Sequence, residues 1–305
     1  MNFKALAALV TGLLILMTTG HTVMAKTMET KTYCVGRLLI DVPTEFEVMD
    51  FGGSINGLKI ERVGAGNEKD LQNRIADRIQ ALEDKKVIEG GDPVIFLGTD
   101  EVGGFTIIKH ILDTSIMGQI TEPWTEEAYV LSDGVIFHLI GTGTKDKLDF
   151  YRENMLSVAN AIHPRELNEI PSEPGFCLKD AFVALPPGNE NIGASFIYPT
   201  ERSILLRIST VVREPGGRTL DFSAIEGADG DPVNIAGLKG KELRLQNKEI
   251  NLSAMVGQQP TKSMAGYKIT LEYSDSRDDA GSEPVTGEDA KNIWEKLIKD
   301  MDIKR

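Results

Sequence analysis

A short stretch of this chain occurs twice, and that duplication restricts the possible folds more than any other feature. Tyr33-Cys34-Val35-Gly36-Arg37-Leu38-Leu39-Ile40-Asp41-Val42-Pro43 opens one half, and Phe176-Cys177-Leu178-Lys179-Asp180-Ala181-Phe182-Val183-Ala184-Leu185-Pro186 opens the other. Each couples an aromatic residue to a cysteine, continues through a strand-like apolar run and reaches a proline. Further on, Gly91-Asp92-Pro93-Val94 is matched by Gly230-Asp231-Pro232-Val233, and Thr144 and Thr286 each precede a helical pattern. The separations Cys34 to Cys177, Asp92 to Asp231 and Thr144 to Thr286 are 143, 139 and 142 residues. A nearly constant offset over independent landmarks reads as two copies of one unit of about 140 residues.

The remainder of the 305 residues has its own signature. Lys4 is the only Lys, Arg, Asp or Glu before residue 26, an apolar run from Ala5 to Met17 follows it, and Val23-Met24-Ala25 supplies small residues at a cleavage site. This is the pattern of an export signal over residues 1–25. An anchoring helix is the alternative, but a bilayer needs about 20 apolar residues and the run is shorter. The expected division is therefore a signal peptide at 1–25, a first domain at 26–168 and a second at 169–305. Turn formers from Ile170 to Gly175 make the linker, which allows relative motion of the two units.

Cys34 and Cys177 are the two cysteines of the chain, and export carries both into an oxidising compartment. One disulfide between them is the economical pairing, worth up to about 5 kcal/mol by the chain-entropy model. Two buried free thiols are the alternative. The charge balance, 33 Lys and Arg against 46 Asp and Glu for a net −13, leaves no broad cationic face for a phosphate backbone or an anionic membrane.

Within a unit the periodicities give an α+β fold, a mainly antiparallel sheet with helices on one face. Leu71, Ile75, Ile79 and Leu82 form a helical stripe over 70–86, with Asn67 as its cap. Leu148, Tyr151, Met155, Val158 and Ile162 repeat the pattern over 145–162. A third stripe runs from Ala290 through Ile293, Trp294, Leu297 and Ile298 to Met301. Strand-like runs cover Phe105–Leu112, Glu127–Leu131, Val135–Ile140, Ser203–Val212, Glu242–Leu245 and Tyr267–Tyr273, and Ser132-Asp133-Gly134 links two of them as a hairpin.

Signatures of catalysis are weak. Gly193-Ala194-Ser195 lacks the closing glycine of a nucleophile elbow, and Gly141-Thr142-Gly143-Thr144-Lys145 lacks the spacing of a phosphate loop. His110 and His138 fall inside apolar strands and read as hydrogen-bonded structural residues. No catalytic residue, metal site or cofactor is expected. The acidic loops holding Asp229 and Asp231, and Asp275, Asp278, Asp279 and Glu283, do not follow the ligand order of a calcium loop. They are solvated turns or acidic projections toward a basic partner. Trp124 and Glu126, in an acidic stretch beside Pro123, are further candidate contacts, with a Trp124 tucked onto its own sheet as the alternative.

The segment Cys34 to Pro43 near the mature N-terminus, followed by Pro174-Gly175-Phe176-Cys177-Leu178 opening a second unit, resembles the immunity proteins cognate to type VI secretion lipase effectors. Within that set it is similar to those of the fourth lipase class, which have N- and C-terminal domains. The resemblance implies a periplasmic protein without chemistry of its own. Its partner would be a delivered phospholipase or lipase whose substrate access or lid opening it blocks, with the two domains acting as a clamp. A periplasmic receptor for a small ligand or envelope component is the competing reading, with a pocket between the domains.

Overall fold

The computed structural model describes residues 29–84, 88–89, 92–112, 123–198, 204–213, 231–235, 237–246, 249–257, 264–274, 287–300 and 302–303. The expected signal peptide lies outside them.

The first half contains β1 (Thr30–Val35), β2 (Leu38–Pro43), β3 (Glu47–Ile55), β4 (Leu58–Ala65), α1 (Glu68–Glu83), β5 (Ile88–Glu89), β6 (Asp92–Val102), β7 (Phe105–Leu112), β8 (Trp124–Ser132), β9 (Val135–Gly143), α2 (Leu148–Ala159) and β10 (Ile162–Pro164). The second contains β11 (Phe176–Cys177), β12 (Ala181–Val183), β13 (Glu190–Ile197), β14 (Ile204–Arg213), β15 (Asp231–Ile235), β16 (Leu238–Gln246), β17 (Glu249–Gly257), β18 (Met264–Ser274), α3 (Gly287–Asp300) and β19 (Asp302–Ile303).

Local chemistry explains the boundaries. Asn67 accepts from the Lys69 and Asp70 amides while the Asp70 carboxylate takes the Asn67 amide, a reciprocal cap that starts α1. Asp133 and Gly134 have φ of 48° and 77°, the backbone a two-residue turn between right-twisted strands requires, so β8 and β9 form the expected hairpin. One expectation fails at the end of the second helix. α2 stops at Ala159, and Ile162, placed on its stripe by periodicity, instead opens β10, because Pro164 favours extended backbone.

Thirteen of the described strands make one antiparallel sheet. From its centre outward the first half runs β3-β4-β9-β8-β7-β6 and the second β13-β14-β18-β17-β16-β15, the same order of corresponding strands. The duplication is therefore structural, and the two mainly antiparallel units stand in tandem. Their sheets merge where β3 pairs with β13. Phe51 stands opposite Ala194 in that pairing, and Cys34 bonds to Cys177; both pairs are 143 residues apart. Equivalent residues thus meet each other, as across the two-fold axis of a dimer.

The two halves also exchange their last strands. β10 of the first pairs with β12 of the second, and β19 of the second pairs with β2 of the first. The linker expected to permit relative motion is bypassed by three sets of strand pairings and a disulfide.

The helices do not all share one face. α2 and α3 pack on the main core, with Met155, Val158, Ile293, Trp294 and Leu297 against Val130, Phe137, Ile269 and Leu271. α1 covers the opposite face of the first half, where Leu71, Ile75 and Leu82 meet Val94, Ile108 and Ile136. The expected one-sided covering is corrected there. β8 shows the consequence in its sequence of burial: Thr125, Glu126, Glu127 and Ala128 are all buried, since both faces of the strand are covered.

Candidate partner-binding surface

The seam between the halves is built for rigidity. Cys34 and Cys177 lie fully buried with Phe182, and their S–S distance is 2.08 Å. The expected pairing forms, and it fits an oxidising compartment. Beside it the Gly36 and Cys177 backbones exchange hydrogen bonds of 3.0 and 2.8 Å. Arg37 grips the Glu190 carboxylate through Nε at 2.9 and 3.0 Å, with both side chains buried. The Arg165 guanidinium, immediately after β10, donates to the carbonyls of Cys34, Leu178, Glu166 and Leu167. Burial without a bonded carboxylate lowers its pKa to about 10. Tyr267 near Glu190 is pushed up to about 12, first by burial and then by that carboxylate.

Consecutive side chains of β8 point to opposite faces, so its two adjacent glutamates reach different helices. On the α2 side, Arg152 Nε donates to Glu126 at 2.9 Å and its Nη2 reaches Asp100 at 3.0 Å. Lys109 holds the other oxygen of Asp100 at 2.8 Å and lowers that carboxyl below its usual range. Glu126 is 0% exposed, and this corrects its expected role as a surface contact. Its carboxyl is pushed up by burial while Arg152 pulls the other way.

On the α1 side, Glu127 accepts from Arg78 Nε at 2.6 Å and lies 2.8 Å from His138 Nε2. Burial works against the Glu127 charge, but His110, His138 and Arg78 together hold the carboxyl far below the carboxylate range. His138 stacks on Tyr129 with centroids 4.4 Å apart, as a structural histidine should. His110 departs from expectation: its Nε2 is 3.8 Å from Glu127, too long for a hydrogen bond. Each carboxylate lies beneath a helix and is held by an arginine, an arrangement that fastens three layers together.

Of the candidate contacts, Trp124 opens β8 half-buried, with Lys145 Nζ 5.1 Å above its ring. Phe150 and Tyr151 of α2 pack edge to face, and Phe150 is exposed. Asp231 opens β15, exposed at the far edge of the sheet. The structure thus separates Trp124 from Asp231 and does not gather them into one site. Asp229, Asp275, Asp278, Asp279 and Glu283 lie outside the described residues.

Two concavities were missed by sequence reasoning. One, of about 390 Å³, is lined by Arg244, Glu242, Trp294 and Lys299; there Glu242 accepts from Arg244 Nε at 2.7 Å and from Trp294 Nε1. The other, of about 320 Å³, opens between β3 and β4 over the turn Leu178–Ala181. Gly52-Gly53 inside a strand run was its available signal. Among the described residues, no cluster of three or more His, Cys, Asp or Glu side chains is placed to hold a metal ion. No described helix is long and apolar enough to cross a membrane.

Comparison with solved structures finds the same fold. The apo structure of immunity protein TplEi of the T6SS from Pseudomonas aeruginosa superposes with a TM-score of 0.68 and 17% identity, covering 92% of this chain and 98% of that one. The crystal structure of a Tle4-Tli4 complex contributes a chain with TM-score 0.66 at 17% identity, over 90% and 98% of the two chains. TplEi complexed with "L" peptide gives 0.65 at 16% identity, with the same coverage. No curated protein sequence matches. Two family profiles divide the chain between them, the Tle cognate immunity protein 4 N-terminal domain at residues 31–169 and the corresponding C-terminal domain at 169–301. The chain belongs to the Tle cognate immunity protein 4 family.

Proposed function

We propose that this chain is a periplasmic, non-catalytic immunity protein that binds a lipase effector of the type VI secretion system and blocks its substrate access or lid opening. The observation that carries this reading is the pair of family domains spanning residues 31–301. The Tle4-Tli4 complex, whose chain has the same fold, supports it. Export by residues 1–25 delivers the chain to the compartment where the buried disulfide is maintained.

The seam refines the mechanism. Two domains that share a sheet, a disulfide and exchanged strands do not close like jaws. They offer a preformed surface, which limits the ordering cost of binding. A lid held against that surface is trapped by differential affinity for the inhibited state. Trp124, Asp231 and the acidic loops carrying Asp229, Asp275, Asp278, Asp279 and Glu283 are its proposed contacts, with the charges speeding encounter.

The test is protection of cells. A strain exporting the cognate lipase effector to its periplasm should lose viability, and co-export of this chain should restore growth. Continued killing at equal expression of both proteins refutes the proposal.

A further inference from the structure

β3 and β4 pair only beside their turn, and an opening lies between them beyond it. Asn56 and Gly57, with φ of 52° and 77°, turn the chain between them, but pairing stops after Ile55–Leu58 and Ser54–Lys59. Beyond the turn the two strands part, while β3 stays paired to β13 and β4 to β9 on their outer sides. In a two-residue hairpin the residues flanking the turn form a hydrogen-bonded pair, and backbone direction alternates from there. The N–H and C=O groups of Phe51 and Gly53, and of Ile60 and Arg62, therefore face the gap. Asn56 N–H bonding Asn189 on the other side fits this phase. Among the described residues, no other element offers these groups a backbone partner.

Open strand edges are templates for another strand. Here two of them face each other across a wedge, so the occupant must have both of its own edges free. The edge of a second sheet cannot enter; a single extended segment can. Gly52 lies at the mouth, and a Cβ added there would meet no atom within 4 Å, so nothing local requires glycine. Its absence of a side chain leaves room for a neighbouring backbone. The charges around the opening are matched: Lys59 pairs with Glu61 at 2.6 Å, Arg62 lies 3.8 Å from Glu166, and Lys179 is followed by Asp180. The volume, about 320 Å³, is at the low end of the roughly 300–1,000 Å³ typical of ligand sites.

We propose that the β3–β4 opening receives an extended peptide segment of the lipase, which completes the sheet as an added strand. This rests on the immunity reading and specifies where and how the partner is held. The segment enters from a loop or terminus of the lipase, and main-chain hydrogen bonds supply the contacts on both sides.

The experiment uses the full chain and its cognate lipase effector. Affinity is measured for wild type and for Gly52→Phe, which adds a ring to the lining of the opening, and hydrogen exchange is followed in the wild-type complex. Weakening of tenfold or more at unchanged Tm, with slowed exchange at residues 51–53 and 60–62, is expected. A variant that binds within twofold of wild type overturns the strand site and leaves the immunity reading standing. Unchanged exchange at those amides does the same, whether or not the variant folds. A wild-type chain that does not bind the lipase overturns both.

Discussion

β3–β4 and β13–β14 are corresponding hairpins of a duplicated fold, yet one is open and the other closed. β13 and β14 pair at every position from Glu190–Val212 to Ile197–Leu205, whereas β3 and β4 pair only next to their turn. Duplication supplies two equivalent frames, and a difference between them marks where one frame departs from what folding alone requires. The closed hairpin shows that this topology makes a continuous ladder. The open one leaves backbone groups unpaired on two strand edges, a cost that a bound segment would remove. The surroundings differ as well. The first half buries two arginine–glutamate pairs under helices on both faces, while in the second α3 reaches Glu242 through Trp294 Nε1 and Arg244 through Glu295.

Five variants sharpen or break this contrast. The largest effect belongs to the seam both halves share. Glu190→Ala leaves the Arg37 guanidinium buried without its carboxylate and should cost about 3–5 kcal/mol in urea unfolding. Replacing both cysteines by serine should cost about 2–4 kcal/mol, and a smaller loss would mean that the exchanged strands already restrain the unfolded chain. Gly53→Val comes next. A Cβ there runs into Asn191 O and lies 2.8 Å from Ile192 Cα, so the β3–β13 junction must shift, at about 1–3 kcal/mol.

Glu127→Gln tests the polar layer particular to the first half. Because the folded carboxyl lies below its ordinary value of 4.5, its stabilisation is complete above that pH and is lost as pH falls below it. Wild-type Tm should therefore fall more steeply than that of the variant below about pH 4.5. The smallest effect is expected at Gly52→Val, within about 0.5 kcal/mol of wild type, one position from the costly Gly53→Val. Equal losses at the two glycines would remove the basis for an open site at β3–β4.

Much of the fold was legible from side chains with positional meaning. The aromatic-cysteine pairs exposed the duplication, and the cysteines bond because equivalent residues meet at the seam. Asn67 and Asp133-Gly134 act where their chemistry placed them. The merger of the two sheets, the strand exchange and the open hairpin were not legible. Strand pairing is made by backbone groups that every residue carries, so the sequence bears no mark of which edge meets which. The helix on the second face left a fainter trace. Glu126-Glu127 inside an apolar run needs a cation on each face, and Arg78 and Arg152 beside two helical stripes were the candidates. Glu126 looked like a surface acid because a strand read alone does not reveal that both faces are covered.

The central claim is that this chain neutralises a lipase by binding it as a preformed body. Titrating the purified full chain into its cognate lipase effector, well above the dissociation constant, tests it most directly. Phospholipid hydrolysis should decline in a straight line and vanish at one chain per enzyme. Hydrolysis that continues undiminished beyond that ratio would contradict the account.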